Sequence, residues 1–232
     1  MNFQFKQFTL QQDSEVFKFG TDAALLATWI KNKNSKHVLE IGTGTGVISL
    51  MMAQRNPKAN YTGIDISKQA IELAQKNLSN FPIPSQIKFL KVSLQEFETK
   101  SNFDLIVSNP PFFENGTKSS AAVNLGARHT DTLSLFDLLE NSKKLLSENG
   151  KISWIYPSRY LDQILKYCKE LTLYPIEIVL VRSKIGKEVK RVLMTIQKKP
   201  GDCKREELII EEQNRDYTPE VLTRFKPFYL HL

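Results

Sequence analysis

Val38-Leu39-Glu40-Ile41-Gly42-Thr43-Gly44-Thr45-Gly46-Val47 is the stretch that decides the fold. Four residues of β-forming, mostly apolar character run into three alternating glycines. A short apolar run bounded in this way reads as a buried strand. Helical spacing then takes over from Val47 to Arg55 and stops before Asn56-Pro57. The pattern is strand, glycine turn, helix.

The same alternation continues outward. Tyr61–Ile66 reads as a second strand, and Ser67 caps a helix to about Ser79, broken by Phe81-Pro82-Ile83-Pro84. Ile87–Val92 and Phe103–Val107 are further strands. Leu133–Leu146 is an amphipathic helix stopped at Asn149-Gly150, and Lys151–Tyr156 is a fifth strand. Ser158 opens a helix to about Glu170. Ile176–Val181 and Val189–Gln197, split by Ile185-Gly186-Lys187, predict a closing antiparallel hairpin at one sheet edge. Repeated strand–helix alternation implies an α/β fold, a mostly parallel sheet with helices on both faces. One domain is expected: residues 1–36 as an N-terminal extension, 37–200 as the core and 201–232 as a C-terminal extension.

Composition narrows the function classes. The chain has 232 residues, 41% hydrophobic and 25% charged, with 32 basic and 25 acidic side chains and a net charge of +7. This is an ordinary globular profile, too rich in aromatics for a disordered chain. No stretch reaches the about 18 apolar residues that cross a bilayer, and Met1–Gln7 lacks a secretory pattern, so a cytoplasmic location is expected. Cys168 and Cys203 build no disulfide framework, and His37, His129 and His231 are scattered, so no metal is expected. The basic excess leans weakly toward an anionic partner.

Ligands of open α/β sheets bind at the carboxyl ends of the strands. Glycines there let a ligand approach the backbone. Asp65 ends the next strand, where a carboxylate accepts hydrogen bonds from a ribose diol, so an adenosine cofactor is indicated. A dinucleotide fingerprint needs a third glycine at position 47, which is Val47. The spacing is G-x-G-x-G, preceded by Glu40. The bland alternative is a tight turn with no ligand. The fourth strand ends in Ser108-Asn109-Pro110-Pro111-Phe112. Two prolines stiffen the backbone and remove two donors, leaving carbonyls free to accept from a ligand. Asn109 adds a side-chain carbonyl and Phe112 a flat π-face, a set that suits a planar substrate bearing an amino group. The bland alternative is a turn with Phe112 in the core.

Glu40 with Gly42, Gly44 and Gly46 resembles motif I of the S-adenosylmethionine methyltransferases, and Asn109-Pro110-Pro111-Phe112 resembles the N-P-P-[YF] element of class I enzymes acting on amino nitrogens. Phe8–Leu26, with Phe17-Lys18-Phe19-Gly20-Thr21-Asp22-Ala23, and Phe112 to Arg128-His129-Thr130 are similar to the bacterial tRNA1(Val) (adenine-37-N6)-methyltransferase family. The likeness runs from about Phe3 to Tyr156 and is weaker through the tail. It implies a seven-stranded class I, Rossmann-like fold and methylation of adenine N6 in an anticodon stem-loop. By matched position, Glu40, Gly42, Gly44, Gly46, Asp65, Ile66 and Asn109 hold S-adenosylmethionine. Gly20, Thr21 and Asp22 help close its methionine end, and Asn109, Pro110, Pro111 and Phe112 hold the base. Where the family has an acidic residue for the cofactor adenine, this chain has Ser93, followed by Leu94.

For the RNA, Lys118, Arg128 and His129 follow the Asn-Pro-Pro element, and a basic run from Arg182 to Arg205 includes Lys198 and Lys199. A solvated hairpin is the alternative. Trp29, Trp154 and Cys168 are assigned to the core, and a monomer without membrane contact is expected. The rivals are a guanine-N2 or glutamine-N5 methyltransferase, a nicotinamide-dependent oxidoreductase and a silent RNA-binding module.

Overall fold

The computed structural model describes residues 2–16, 18–110 and 133–231. Its main sheet has eight strands: β3 (His37–Ile41), β4 (Asn60–Asp65), β5 (Gln86–Lys91), β6 (Phe103–Ser108), β7 (Leu146–Pro157), β8 (Tyr174–Lys184), β9 (Val189–Gln197) and β10 (Lys204–Glu211). The spatial order is β10-β8-β9-β7-β6-β3-β4-β5. The short strands β1 (Asn2–Gln4) and β2 (Thr9–Gln11) pair with each other separately. The helices are α1 (Thr21–Trp29), α2 (Val47–Arg55), α3 (Lys68–Ser79), α4 (Leu135–Leu145), α5 (Leu161–Glu170) and α6 (Pro219–Phe225).

Side-chain alternation along the strands divides the core. In β3, Val38 joins a cluster with Leu25, Leu26, Leu50 and Met51 of α1 and α2. Its neighbour Leu39 joins Leu138, Leu139, Ile164 and Cys168 of α4 and α5 on the other face. This period of two makes β3 apolar on both sides. α3 obeys the helical period instead, burying Ala70, Ile71, Ala74 and Asn77, with the Ser67 hydroxyl capping the Ala70 amide.

The expected mixed α/β sheet with helices on both faces is present. It differs in one strand and in the place of the hairpin. Lys204–Glu211, read as extension, adds an eighth strand parallel to β8. The antiparallel strand is not at the edge: β9 lies between β7 and β8 and is antiparallel to both. α4 also ends at Leu145, before the expected stop. Strand pairing begins at Leu146 with an irregularity up to Lys151, closed over Gly150, where a Cβ would lie 2.7 Å from the Phe103 carbonyl oxygen.

The chain ends clasp each other. Phe5 bridges to Tyr229, the Lys6 amide donates to the Phe228 carbonyl (2.7 Å), and Phe225 stacks on Tyr229 with centroids 4.9 Å apart. Trp29 and Trp154 are buried, as expected of core residues. Phe225 is fully buried where α6 meets the α1 layer. Phe225→Ala should cost about 3–5 kcal/mol in urea unfolding, the range for an emptied aromatic site.

Candidate active site

The strand order reverses at β3, which has β4 on one side and β6 on the other. The crevice for a ligand in such a sheet lies at the carboxyl ends of these strands. There the Ser108 hydroxyl donates to the Ile41 carbonyl (3.0 Å), joining the exits of β6 and β3. Gly42 and Asn109 are the residues that follow.

The glycine loop is shaped from below. Gly42, Gly44 and Gly46 all have positive φ, at 70°, 53° and 79°. Gly46 is doubly constrained, since a Cβ would also stand 2.8 Å from Phe89 Cζ. At Gly42 and Gly44 no described residue lies within 4 Å of a Cβ position, so among the described residues that side of the loop is open. Two carboxylates fasten it. Glu40, 1% exposed, accepts through Oε2 from Thr43 Oγ1 (2.8 Å), from the Ser49 amide (3.1 Å) and from the Ser49 hydroxyl. Its other oxygen, Oε1, is buried without a partner among the described residues. Burial pushes this carboxyl up to about 7, with the Ser49 and Thr43 bonds opposing. Asp65 accepts from the Gly44 amide through Oδ2 and from the Ser67 amide through Oδ1, each at 2.9 Å. Burial raises its pKa too, and those amides oppose the rise.

The other residues matched by sequence have differing engagements. Ile66, next to Asp65, is 59% exposed, an apolar side chain left in the open. Leu94 is buried. Ser93 is occupied locally, donating to Glu96 Oε2 (2.7 Å) and accepting from the Glu96 amide. Gly20 caps α1 through backbone alone, in extended conformation. Thr21, exposed, starts that helix. Asp22 pairs with Arg191 of β9, Nε to Oδ2 at 2.8 Å, so it ties α1 to the sheet. Asn109 and Pro110 are half-buried beyond β6. Pro111, Phe112, Lys118, Arg128 and His129 lie outside the described residues.

Lys198 and Lys199 are not brought to this site. Register pairs Gln197 with Lys151 near the start of β7 and Arg191 with Pro157 at its end. The lysines thus follow β9 to the far pole, about 20 Å from the strand exits at about 3.3 Å per residue. Each is held there, Lys198 Nζ by the Leu146 carbonyl and Lys199 Nζ by Asn149 Oδ1, both at 2.7 Å. The structure therefore does not gather them with Asn109 at one pole. An antiparallel strand inside a parallel sheet carries the end of a basic run away from the active pole.

One supporting residue escaped the sequence reading. Asn77 is 1% exposed on α3, donates to the Thr45 carbonyl (2.9 Å) and the Gln11 carbonyl, and accepts from the Gln11 amide (2.8 Å). It fixes β2 to the glycine loop. Its signal was present: a polar residue on the apolar stripe of Ala70, Ile71 and Ala74.

The comparisons agree with this architecture. The model of the family described as methyltransferase small domain matches residues 7–163. A relative from Flavobacterium psychrophilum, called tRNA1(Val) (adenine(37)-N6)-methyltransferase, is 36% identical over 99% of this chain and 100% of its own. A relative of the same name from Trichodesmium erythraeum is 38% identical over 98% and 97%. Among solved structures, a protein described as a predicted O-methyltransferase from Agrobacterium tumefaciens superposes with TM-score 0.71 at 21% identity, covering 89% of this chain and 96% of that one. At that identity the likeness is one of fold.

Glu40 carries a pH test. Its ordinary value is 4.5 and its folded value about 7. Between these the folded protein keeps a proton that the unfolded chain releases, so stability falls as pH rises through the window and levels off above it. Glu40→Gln should abolish that fall, worth about 3 kcal/mol. Thermal melts at pH 5 and pH 8 check it: the wild type should lose more than the variant.

Proposed function

The chain belongs to the methyltransferase small domain family, and from that premise we propose that it methylates N6 of adenine 37 in the anticodon loop of tRNA1(Val), using S-adenosylmethionine. The observation that carries this reading is the Ser108–Ile41 bond, which sets the Asn109-Pro110 exit against the glycine loop. The full-length relatives' shared name supports the substrate.

The residues present fit the cofactor. The open side of Gly42 and Gly44 is a cradle that any Cβ would narrow. Asp65 stands at its edge with both oxygens directed by backbone amides and lone pairs left for a diol. Ile66 offers an apolar surface for a flat base. The unpartnered Glu40 Oε1 marks unused acceptor capacity under the loop. When bound, S-adenosylmethionine supplies a methyl group already activated by its sulfonium.

The work left to the protein is at the nucleophile, because the N6 lone pair is delocalised into the purine. The Asn109 side-chain oxygen and the Pro110 carbonyl accept the two N6 hydrogens, which favours a tetrahedral nitrogen with its lone pair released from the ring. Phe112, by the sequence reading, stacks on the base. Positioning and fixed dipoles supply the rate. No strong base is needed, since the methylated cation loses a proton readily to water. An unpaired loop also costs least to open for extrusion of the base. The chain acts as one domain, in the cytoplasm with its tRNA. Among the described residues no helix is long and apolar enough to cross a membrane.

Asn109→Ala should lower methyl transfer into tRNA by at least about a thousandfold, as for loss of a transition-state hydrogen bond with its positioning. Calorimetric affinity for S-adenosylhomocysteine should fall far less than the rate, by about tenfold at most, the value of one neutral hydrogen bond. Retained transfer by the variant contradicts the mechanism. Labelled methyl arriving at guanine or protein contradicts the substrate.

A further inference from the structure

The basic run that ends at the far pole begins at the active one. β8 leaves the sheet at Lys184 and β9 enters at Val189, and Arg191 pairs with Pro157 at the carboxyl end of β7. The hairpin tip between them therefore overhangs the strand exits that include Asn109. A second piece of chain is fastened to it. The 3-10 turn Ser158–Tyr160 follows β7 directly, and the Ser158 hydroxyl donates to the Val189 carbonyl at 2.5 Å. In that turn Arg159 is exposed and lies over the Tyr160 ring, 5.0 Å from its centroid. Tyr160 is propped edge-on by Tyr156 at 5.3 Å. β7 neighbours β6, with Trp154 paired to Ser108, so this aromatic group stands beside the Asn109-Pro110 exit.

The charges divide by engagement. Arg182, Lys184 and Arg191 are paired with Glu207, Glu211 and Asp22. They brace the hairpin against β10 and α1. Lys187 and Lys190 are exposed at the tip, with Glu188 between them. Asp162 follows the turn on α5. Ile185, 63% exposed, adds apolar surface at the same tip.

We propose that the Ser158–Tyr160 turn and the β8–β9 tip form one surface for single-stranded RNA, in which the Arg159–Tyr160 stack takes the base of a nucleotide flanking the target and Lys187 and Lys190 take phosphates. The proposal rests on the tRNA reading and assigns it a place. Aromatic and guanidinium planes stack on any base, and lysines at a hairpin tip reach a backbone that passes over it. An anticodon loop is thereby held at the strand exits by the sheet's own hairpin tip.

The test uses the full chain and a tRNA1(Val) transcript with unmodified A37, with binding read by fluorescence anisotropy across a salt series. Lys187→Glu with Lys190→Glu should weaken binding about tenfold or more and lower the salt slope by about 1–2. Arg159→Ala and Tyr160→Ala should each weaken it about tenfold, while Tyr160→Phe, which keeps the ring, should match the wild type. Lys198→Glu with Lys199→Glu, at the far pole, should leave binding within about twofold. Affinity for S-adenosylhomocysteine should be unchanged in all, which separates loss of the surface from loss of the fold. Tip variants that bind like the wild type, or far-pole variants that lose as much, overturn the surface. A wild-type chain that neither binds nor methylates this transcript overturns the functional reading instead.

Discussion

Two carboxylates on adjacent strands hold the glycine loop, and the candidate site depends on them. Left-handed glycines turn the backbone sharply: the Gly42 amide still reaches the Ile64 carbonyl of β4 and the Gly46 amide the Thr43 carbonyl, while the Gly44 amide turns to a side chain. Asp65 satisfies the Gly44 amide, and Glu40 satisfies Ser49 at the start of α2. Burying a carboxylate is costly without partners. Glu40 offsets that cost through one oxygen only, and the other is buried unpaired. The loop is therefore held by a group under electrostatic tension, close to its own titration midpoint at neutral pH. Such tension is common where binding residues are arranged for a ligand and not for stability alone.

Neighbouring elements are tied to that loop or to one another. Ser108 attaches the β6 exit to Ile41, so Asn109 is positioned relative to Gly42 by the sheet itself. Asn77 attaches the N-terminal strand β2 to Thr45. The Phe19 amide, held by Gln12, leads into Gly20 and α1, and Asp22 then reaches across to Arg191. The clasp between Phe5 and Tyr229 closes the same layer from the C-terminal side. A single chain thus places the glycine loop, the Asn109-Pro110 exit and the hairpin tip at one pole of one sheet.

What was legible in the sequence was local. Val38–Ile41 and Val47–Arg55 announce themselves by apolar period and by glycine and proline punctuation. Ser67 is readable as a cap, and Asp65 as a strand-end acid in step with the loop. What was not legible depended on register between distant segments. Lys204–Glu211 alternates poorly and carries four charges at its start, so only its pairing to β8 makes it a strand. Lys198 and Lys199 look like neighbours of Lys190 along the chain, yet strand direction separates them. Ser93 was matched to an adenine contact by position, and its local bond to Glu96 could not be read from the sequence. Asp22 was matched to the methionine end, and its ion pair with Arg191 could not be seen across 169 residues.

The claim on which this account turns is that the loop fastened by Glu40 and Asp65 is where S-adenosylmethionine sits. Calorimetric titration with S-adenosylhomocysteine, comparing wild type with Asp65→Ala, tests it most directly, with a thermal melt to confirm that the variant folds. The account predicts saturable one-site binding by the wild type and a loss of at least about tenfold, roughly the value of one charged hydrogen bond, in a folded variant. Equal affinity in the two proteins, or no binding by the wild type, would contradict it.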